Sequence, residues 1–472
     1  MRFISAISAM LLTTSSFAVA MAAPGDLLFK LTAPQPQPGA RFGETLATDG
    51  TDILVGEPSR LVGDVAFSGR VHLFDGTTGQ LKYTLENPEP HSDDTFGRSI
   101  DLGDGYVFVG APGLEQSVYV FEHATGALLR EINPPLQPGT DNSHFGSGVA
   151  YDNGDLLIVD PSFTINFGPQ NIGQGYLFDP STGALQHIVL NPEPNNSDLF
   201  GIGISLAMFG DKMAIGSVAD NSYAGRVWVI DRQTAEPVFM IENPRPDTSD
   251  PSFNFDFFAW SVAANEQVIV VGANEDASSG AEGSGTVYVF DSETGDILHT
   301  LFSPQLESNG EFGRSVGLTP SGDILVGAWG TTVDGIDGAG RVYLFDDVTG
   351  KLLLDIPNPE PSEIAQFGWS VESLGNRIVV GAMSANTTLD GEFLPATGAV
   401  YVFAIPEPPA RWLAIAAAVM TLGYRSFQAL RRKLEARSSI ARSRRIPAFY
   451  VFNRPVTTST EDSNVTFQPP VS

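Results

Sequence analysis

Short apolar runs separated by turn residues recur along most of the chain. "ILVG" at Ile53 leads through a polar loop to "GRVHLFD" at Gly69, a tight turn, "LKYTLE" at Leu81 and a proline-rich link, "NPEP" at Asn87. The same order returns as "IVVG" at Ile269, "GTVYVFD" at Gly285 and "ILHTLF" at Ile297. It returns again as "ILVG" at Ile324, "GRVYLFD" at Gly340, "KLLLDI" at Lys351 and "NPEP" at Asn358. Each round opens with a Phe-Gly phrase: "FGETL" at Phe42, "FGRSI" at Phe96, "FGSGV" at Phe145, "FGIGI" at Phe200, "FGRSV" at Phe312 and "FGWSV" at Phe367. A degenerate copy, "FAWSV" at Phe258, fills the remaining interval. The intervals run from 49 residues (Phe96 to Phe145) to 58 (Phe200 to Phe258), which makes seven units. Fixed-period self-similarity of this length marks a repeat architecture.

Four apolar runs per unit, cut by turn residues, predict four antiparallel strands. "VYVF" at Val287 is apolar at both alternating positions, and "ILVG" and "IVVG" do not alternate. A sheet with one wet face alternates, so these strands expect cover on both faces. Like sheets stacked in a closed ring supply that cover, as in a β-propeller. In "FDxxTG" the aspartate is placed to accept backbone amides beyond it, and the glycine suits a left-handed turn position. Proline in "NPEP" ends the strand because it has no ladder donor. Fourth-strand phrases follow units one to six, but the seventh ends at "GAVYVFAIPEP" (Gly398) without one. One orphan copy, "DLLFKLTAPQP" at Asp26, precedes the first Phe-Gly. The N-terminal strand is therefore expected to complete the last blade and close an all-β, seven-bladed ring.

The formal net charge is −29, and no cysteine is present, which excludes disulfide staples and thiol chemistry. Residues 24–408 hold 15 Lys+Arg against 52 Asp+Glu, a net of −37. Such a polyanion is a poor partner for nucleic acid. Residues 1–23 carry Arg2, an apolar stretch and small residues around Ala18–Ala20, the pattern of a signal peptide. At the other end Pro406, Glu407 and Pro408 precede an apolar run, Trp412–Tyr424, and then a basic cluster, Arg425, Arg431, Arg432 and Lys433. The run is shorter than the roughly 20 residues that span a bilayer, and snorkelling of Arg425 extends it toward Leu430. A membrane helix with its basic end in the cytoplasm is expected. The expected division is a signal peptide at 1–23, a propeller at 24–404, an anchor segment at 405–434 and a polar tail at 435–472.

Pro-Glu-Pro, a hydrophobic helix and an arginine cluster resemble a PEP-CTERM sorting signal. That resemblance implies delivery to a bacterial envelope and processing by an exosortase-like enzyme. The helix here is short, and the chain continues past the basic cluster. The order "FGxSV…ILVGA…GxVYVF" resembles the FG-GAP repeats of integrin-α-type propellers over nearly all of Phe42–Phe403. It implies a seven-bladed propeller used for adhesion or ligand binding. Many such repeats carry an Asp-rich calcium loop between their first two strands. Here that hairpin is short, as in "ATDGTD" at Ala47, "DLGDG" at Asp101 and "SLGN" at Ser373, and it lacks the oxygen ligands calcium needs. The strand-three and strand-four phrase "VYVFDSETGDIL" also resembles quinoprotein repeats, but Thr300 and Leu301 stand where those blades close with tryptophan.

Chemistry-bearing motifs are scarce. The six histidines, His72, His91, His123, His144, His187 and His299, are dispersed and read as isolated surface residues. No nucleophile elbow, P-loop or dinucleotide fingerprint is present. No cofactor is expected, and calcium binding is expected to be weak at most. Loops from strand two to three, and from strand four to the next blade, emerge on one end of the ring and are acidic. Asp93, Asp94, Asp198, Asp250, Glu275, Asp276, Asp334 and Asp337 form the candidate ligand face. The expectation is a non-enzymatic, envelope-anchored binding or adhesion module for a surface polysaccharide or protein. The alternative is a hydrolase, lyase or quinoprotein with its site in the central channel.

Overall fold

The structure is a computed structural model that describes residues 22–405, apart from 115, 137–139, 142–143, 166–169, 196–198, 202–204, 220–223 and 247–255. Seven four-stranded antiparallel sheets occupy this span, with a small hairpin, Thr387–Leu389 with Glu392–Leu394, and a two-residue pairing of Thr140–Asp141 with Thr164–Ile165 in the loops. Blade 1 runs Thr45–Thr48, Asp52–Glu57, Arg70–Asp75 and Leu81–Glu86, from the axis outward. Blades 2 to 6 repeat that simple order, starting at Ser99, Gly148, Leu206, Phe258 and Phe312. Blade 7 takes Phe367–Ser373, Arg377–Ala382 and Ala399–Ala404 from the end of the ring and Leu27–Leu31 from its beginning. Leu31 pairs with Val400 and Lys30 with Tyr401, so the predicted closing strand is in place. Each innermost strand meets the innermost strand of the next blade, and blade 7 meets blade 1.

The Phe-Gly phrase works as the joint between blades. Hydroxyls near the start of the innermost strands donate to the Phe-Gly carbonyl of the following blade. Thr45 Oγ1 reaches Gly97 O at 2.7 Å, and Ser99 Oγ reaches Gly146 O at 2.7 Å. Ser261 Oγ reaches Gly313 O at 2.8 Å, Ser315 Oγ reaches Gly368 O at 2.9 Å, and Ser370 Oγ reaches Gly43 O at 2.9 Å. The bond crosses over the glycine that ends the "VVG" run, where no Cβ fits. The phenylalanine itself is buried and packs edge-on against the third strand of its own blade: Phe312 on Phe345 and Phe367 on Phe403.

Second and third strands are buried on both faces, as the non-alternating pattern predicts. The fourth strands differ. Leu81, Leu128, Ile297 and Leu352 are exposed, because wedge-shaped blades diverge toward the rim and leave the outermost strand half uncovered. The turns follow the predicted chemistry: Asp75 Oδ1 accepts Thr77 N, Thr78 N and Thr78 Oγ1 at 3.0, 2.8 and 2.8 Å. Those bonds, the backbone amide of Thr78 first, hold the Asp75 carboxyl below its ordinary range. The "NPEP" asparagines do more than precede proline. Asn358 accepts Glu360 N at 2.9 Å and donates to Ala339 O at 2.8 Å, and Asn191 does the same with Glu193 N and Ile172 O; Asn87 and the equivalent Asn243 accept the amide two residues on but donate to the Asp94 and Asp256 carboxylates, both at 2.8 Å.

One histidine departs from its expected surface position. His72 stands where five blades place a fully buried tyrosine (Tyr119, Tyr176, Tyr288, Tyr343 and Tyr401), and it is 2% exposed. Its Nε2 lies 3.1 Å from Glu57 Oε2 and its Nδ1 2.9 Å from Thr84 Oγ1. Arg60 Nη1 completes the pair with Glu57 at 3.0 Å and donates to Gln35 O at 2.6 Å. The register of the third strand, not the composition around His72, dictates its burial.

Candidate functional site

Within the Phe-Gly phrase, one position varies freely: the residue after the glycine or its alanine equivalent. It is Glu44, Arg98, Ser147, Ile202, Trp260, Arg314 and Trp369 around the ring. Six of these line one small cavity at the mouth of the axis, on the end that carries the acidic loops; Ile202 lies outside the described residues. The invariant parts of the phrase are consumed by the joints. This position is free to differ because its side chain points past the joint into the opening.

The collar is built around a cation. The Arg314 guanidinium lies 3.9 Å from the Trp369 ring and 4.5 Å from the Trp260 ring, so two indole faces bracket it. It forms no hydrogen bond or ion pair through its guanidinium with any described residue. Burial draws its pKa down to about 10, against the opposing pull of Glu311. Trp329 leans on Trp369 with centroids 6.0 Å apart. Trp329 Nε1 donates to Glu311 Oε2 at 2.7 Å, and Asn274 Nδ2 donates to the same oxygen at 3.3 Å. Burial, reinforced by the negative charge of Glu275, pushes Glu311 up to about 7. Across the mouth the buried Glu44 carboxylate is paired with Arg98, and Arg41 stands 3.7 Å from it. A groove of about 500 Å³ continues from Arg41, Glu44 and Arg98 over blades 1 to 3, past Asp93, His144 and Ser162.

Inside the ring a channel of about 200 Å³ is walled mainly by Leu46, Ile100, Val149, Val262, Val316 and Val371. Two carboxylates, Asp101 and Glu372, interrupt that wall. Asp101 accepts Tyr151 N at 2.7 Å and Leu102 N at 2.8 Å. Burial pushes Asp101 up to about 7, with Asp152 adding to the rise, and pushes Glu372 up to about 8, with Asp101 adding. Both folded-state values lie above the unfolded ones, so the folded chain retains protons that the unfolded chain releases. That contribution to stability is complete below about pH 4 and declines as pH rises toward 8. Glu372→Gln is therefore expected to raise Tm by roughly 3 °C at pH 8.5 and to leave it unchanged at pH 4. Thermal unfolding at the two pH values checks this, and an equal shift at both refutes it.

The acidic candidates separate into structural and exposed residues. Asp94 is fully buried and accepts Asn87 Nδ2 at 2.8 Å and His91 N at 2.5 Å. Asp276 is 1% exposed and accepts Ser278 N and the Tyr288 hydroxyl, both at 2.6 Å. Asp93, Asp334 and Asp337 are exposed, and Asp334 sits at the tip of the Val333–Ile336 hairpin. Glu275 is drawn into the electrostatics of the collar, where burial raises its pKa and Arg314 opposes. Asp198 and Asp250 lie outside the described residues, as do Pro406, Glu407, Pro408, residues 1–21 of the expected signal peptide and the apolar C-terminal run. Among the described residues no helix is long and apolar enough to cross a membrane.

One cluster of metal-ligand type occurs among the described residues, Asp49, Asp52 and His123, on the opposite end of the ring. Lys82 Nζ already contacts both Asp52 oxygens, at 2.6 and 2.7 Å, which weakens that cluster as a cation site. Sequence reasoning missed the collar because each residue was read with its own repeat. Aligning the seven phrases and asking which position varies finds it.

No curated protein matches the chain. Residues 249–290 match the family model described as FG-GAP repeat, a span that includes the first two strands of blade 5 and all but the last residue of the third. The match falls on the one unit whose phrase reads Phe-Ala. The chain is a seven-bladed β-propeller, and its fifth blade is similar to an FG-GAP repeat.

Proposed function

We propose that this chain is an exported, envelope-anchored propeller that serves as a non-enzymatic binding module, with the loop end of the ring turned outward to a surface polysaccharide or protein. The observation that carries this reading is the collar. Near-identical phrases use their repeated residues in the joints and leave one position free to vary, and six of those positions, Glu44, Arg98, Ser147, Trp260, Arg314 and Trp369, line the mouth. Aromatic and arginine side chains are the groups that dominate recognition surfaces. Exposed Asp93, Asp334 and Asp337 form an acidic rim around that mouth, which favours solubility and weak cation recruitment. The leader delivers the chain for export, and the Pro406–Glu407–Pro408 segment with its apolar run anchors it, subject to processing by an exosortase-like enzyme.

The test is retention of the full chain on immobilised extracellular polysaccharide and on envelope proteins, with a calcium titration by calorimetry alongside. Retention that falls when Trp369 is replaced by alanine supports the reading. Equal passage through polysaccharide, protein and blank columns refutes it. A second reading, a propeller enzyme, draws on Asp101 and Glu372 in the channel. Two carboxyls with raised pKa values suit general acid–base work. It requires that the wild-type chain release new reducing ends from a supplied polysaccharide and that Glu372→Gln abolish the release.

A further inference from the structure

We infer that Arg314 is the anchor for a single carboxylate carried at the end of an otherwise uncharged sugar chain. This rests on the binding-module reading and names the chemistry of its ligand. Arg314 is a partly buried cation whose donors no described protein group uses, held by two indole faces that fix its plane. A guanidinium so held offers a rigid fork that matches a carboxylate, with little further ordering needed on binding. Its desolvation is already spent in the free protein, so an incoming anion gains a strong partner.

Charge around the mouth narrows the ligand. Arg41, Arg98 and Arg314 collect at one opening of a domain that is otherwise strongly acidic. Asp93 lines the groove that leads from it, and Glu275 and Glu311 flank Arg314. A polymer charged on every unit meets repulsion from that rim. A chain with one terminal acid group does not. The groove of about 500 Å³ is of the size that holds a small ligand, and the collar adds about 50 Å³ at the axis. The sugar follows from the binding-module reading, and the groove that takes it sets Pro58, Pro112 and Pro161 beside Ser59, Thr95 and Ser162, a mixed apolar and hydroxyl lining that suits a pyranose ring. Trp260 and Trp369 bracket the anion-binding group itself, so they report on its occupancy.

The experiment uses the full chain and three probes: cellobiouronic acid, its neutral counterpart cellobiose, and triglycine as a carboxylate on a peptide. Calorimetry is expected to show cellobiouronic acid binding at least tenfold more tightly than cellobiose or triglycine. Arg314→Gln is expected to weaken cellobiouronic acid by about tenfold to a hundredfold. Arg314→Lys, which keeps the charge and loses the fork, is expected to recover only part of that loss. Tryptophan emission of the wild-type chain should change with cellobiouronic acid and not with cellobiose, which tests the site without relying on a variant. Cellobiose binding as tightly as the acid, or acid binding indifferent to Arg314, overturns the carboxylate anchor and leaves the binding module standing. Triglycine binding in preference overturns the sugar. Binding of none of the three overturns the anchor, while retention on whole polysaccharide or envelope protein decides the module separately.

Discussion

A chain that lacks residues 22–36 is expected to lose its cooperative fold, and a peptide spanning residues 24–36 is expected to restore it when added in excess. Leu27–Leu31 is the outermost strand of blade 7, paired along Val400–Phe403. Leu31 is 3% exposed and packs with Phe74, Leu374, Val400 and Val402, with Leu28 and Phe29 beside it. Lys30 Nζ pairs with Glu360 at 2.5 Å and lies 5.3 Å from the Tyr401 ring. Burial of Leu31 and partial burial of Leu28 and Phe29 stabilise by about 4 kcal/mol together, and the ladder adds to it, for a loss of roughly 5–6 kcal/mol. That is comparable with the whole net stability of a folded domain. The truncation also bares the edge of Ala399–Ala404, a fully buried strand, and an uncovered apolar edge recruits other chains. Urea unfolding followed by fluorescence and size exclusion measures both effects. An unchanged urea midpoint in the truncated chain would show that the ring is not held by its leading strand.

How much of this was legible in the letters depends on the range of the cause. Unit count, strand order and the closing strand were all readable, because each repeats a local pattern and Asp26–Pro36 is an orphan copy of it. Turn chemistry was readable for the same reason: Asp291 accepts amides only two and three residues ahead. Contacts between blades were not readable. The bond from Ser315 Oγ to Gly368 O joins residues 53 apart, and nothing local to either marks it. Asp94 and Asp276 look like loop carboxylates in sequence, yet Asp94 is engaged by Asn87 within its loop and Asp276 by Tyr288 of the following strand, partners that only the fold brings close. The collar was hidden more completely. Trp260, Arg314 and Trp369 lie in three different blades, each in a strand-opening phrase that reads as a repeat signal. Closure of the ring is what turns the same position in successive units into neighbours. A property of the ring as a whole has no signature within one unit.

Gly272→Ala is expected to destabilise the propeller by about 4 kcal/mol or more, the range reached by severe steric faults in a packed interior. Gly272 closes the "IVVG" run of blade 5, and a Cβ there overlaps both the Gly313 carbonyl oxygen and Ser261 Oγ, the two ends of the joint to blade 6. The neighbouring Gly313 has φ of +91°, a conformation side chains rarely adopt, and its carbonyl is already held as the acceptor of Ser261 Oγ at 2.8 Å. Ser261→Ala alone removes one buried hydrogen bond and is expected to cost about 1 kcal/mol. The double variant separates the two sources of overlap. If the backbone carbonyl is the obstacle, removing the hydroxyl rescues little, and the double variant is expected to be no more stable than Gly272→Ala. Chemical denaturation of the three variants reads this directly. A double variant close to wild type would place the fault in the side chain, and the blades would then be free to shift past one another at a joint that this geometry holds fixed.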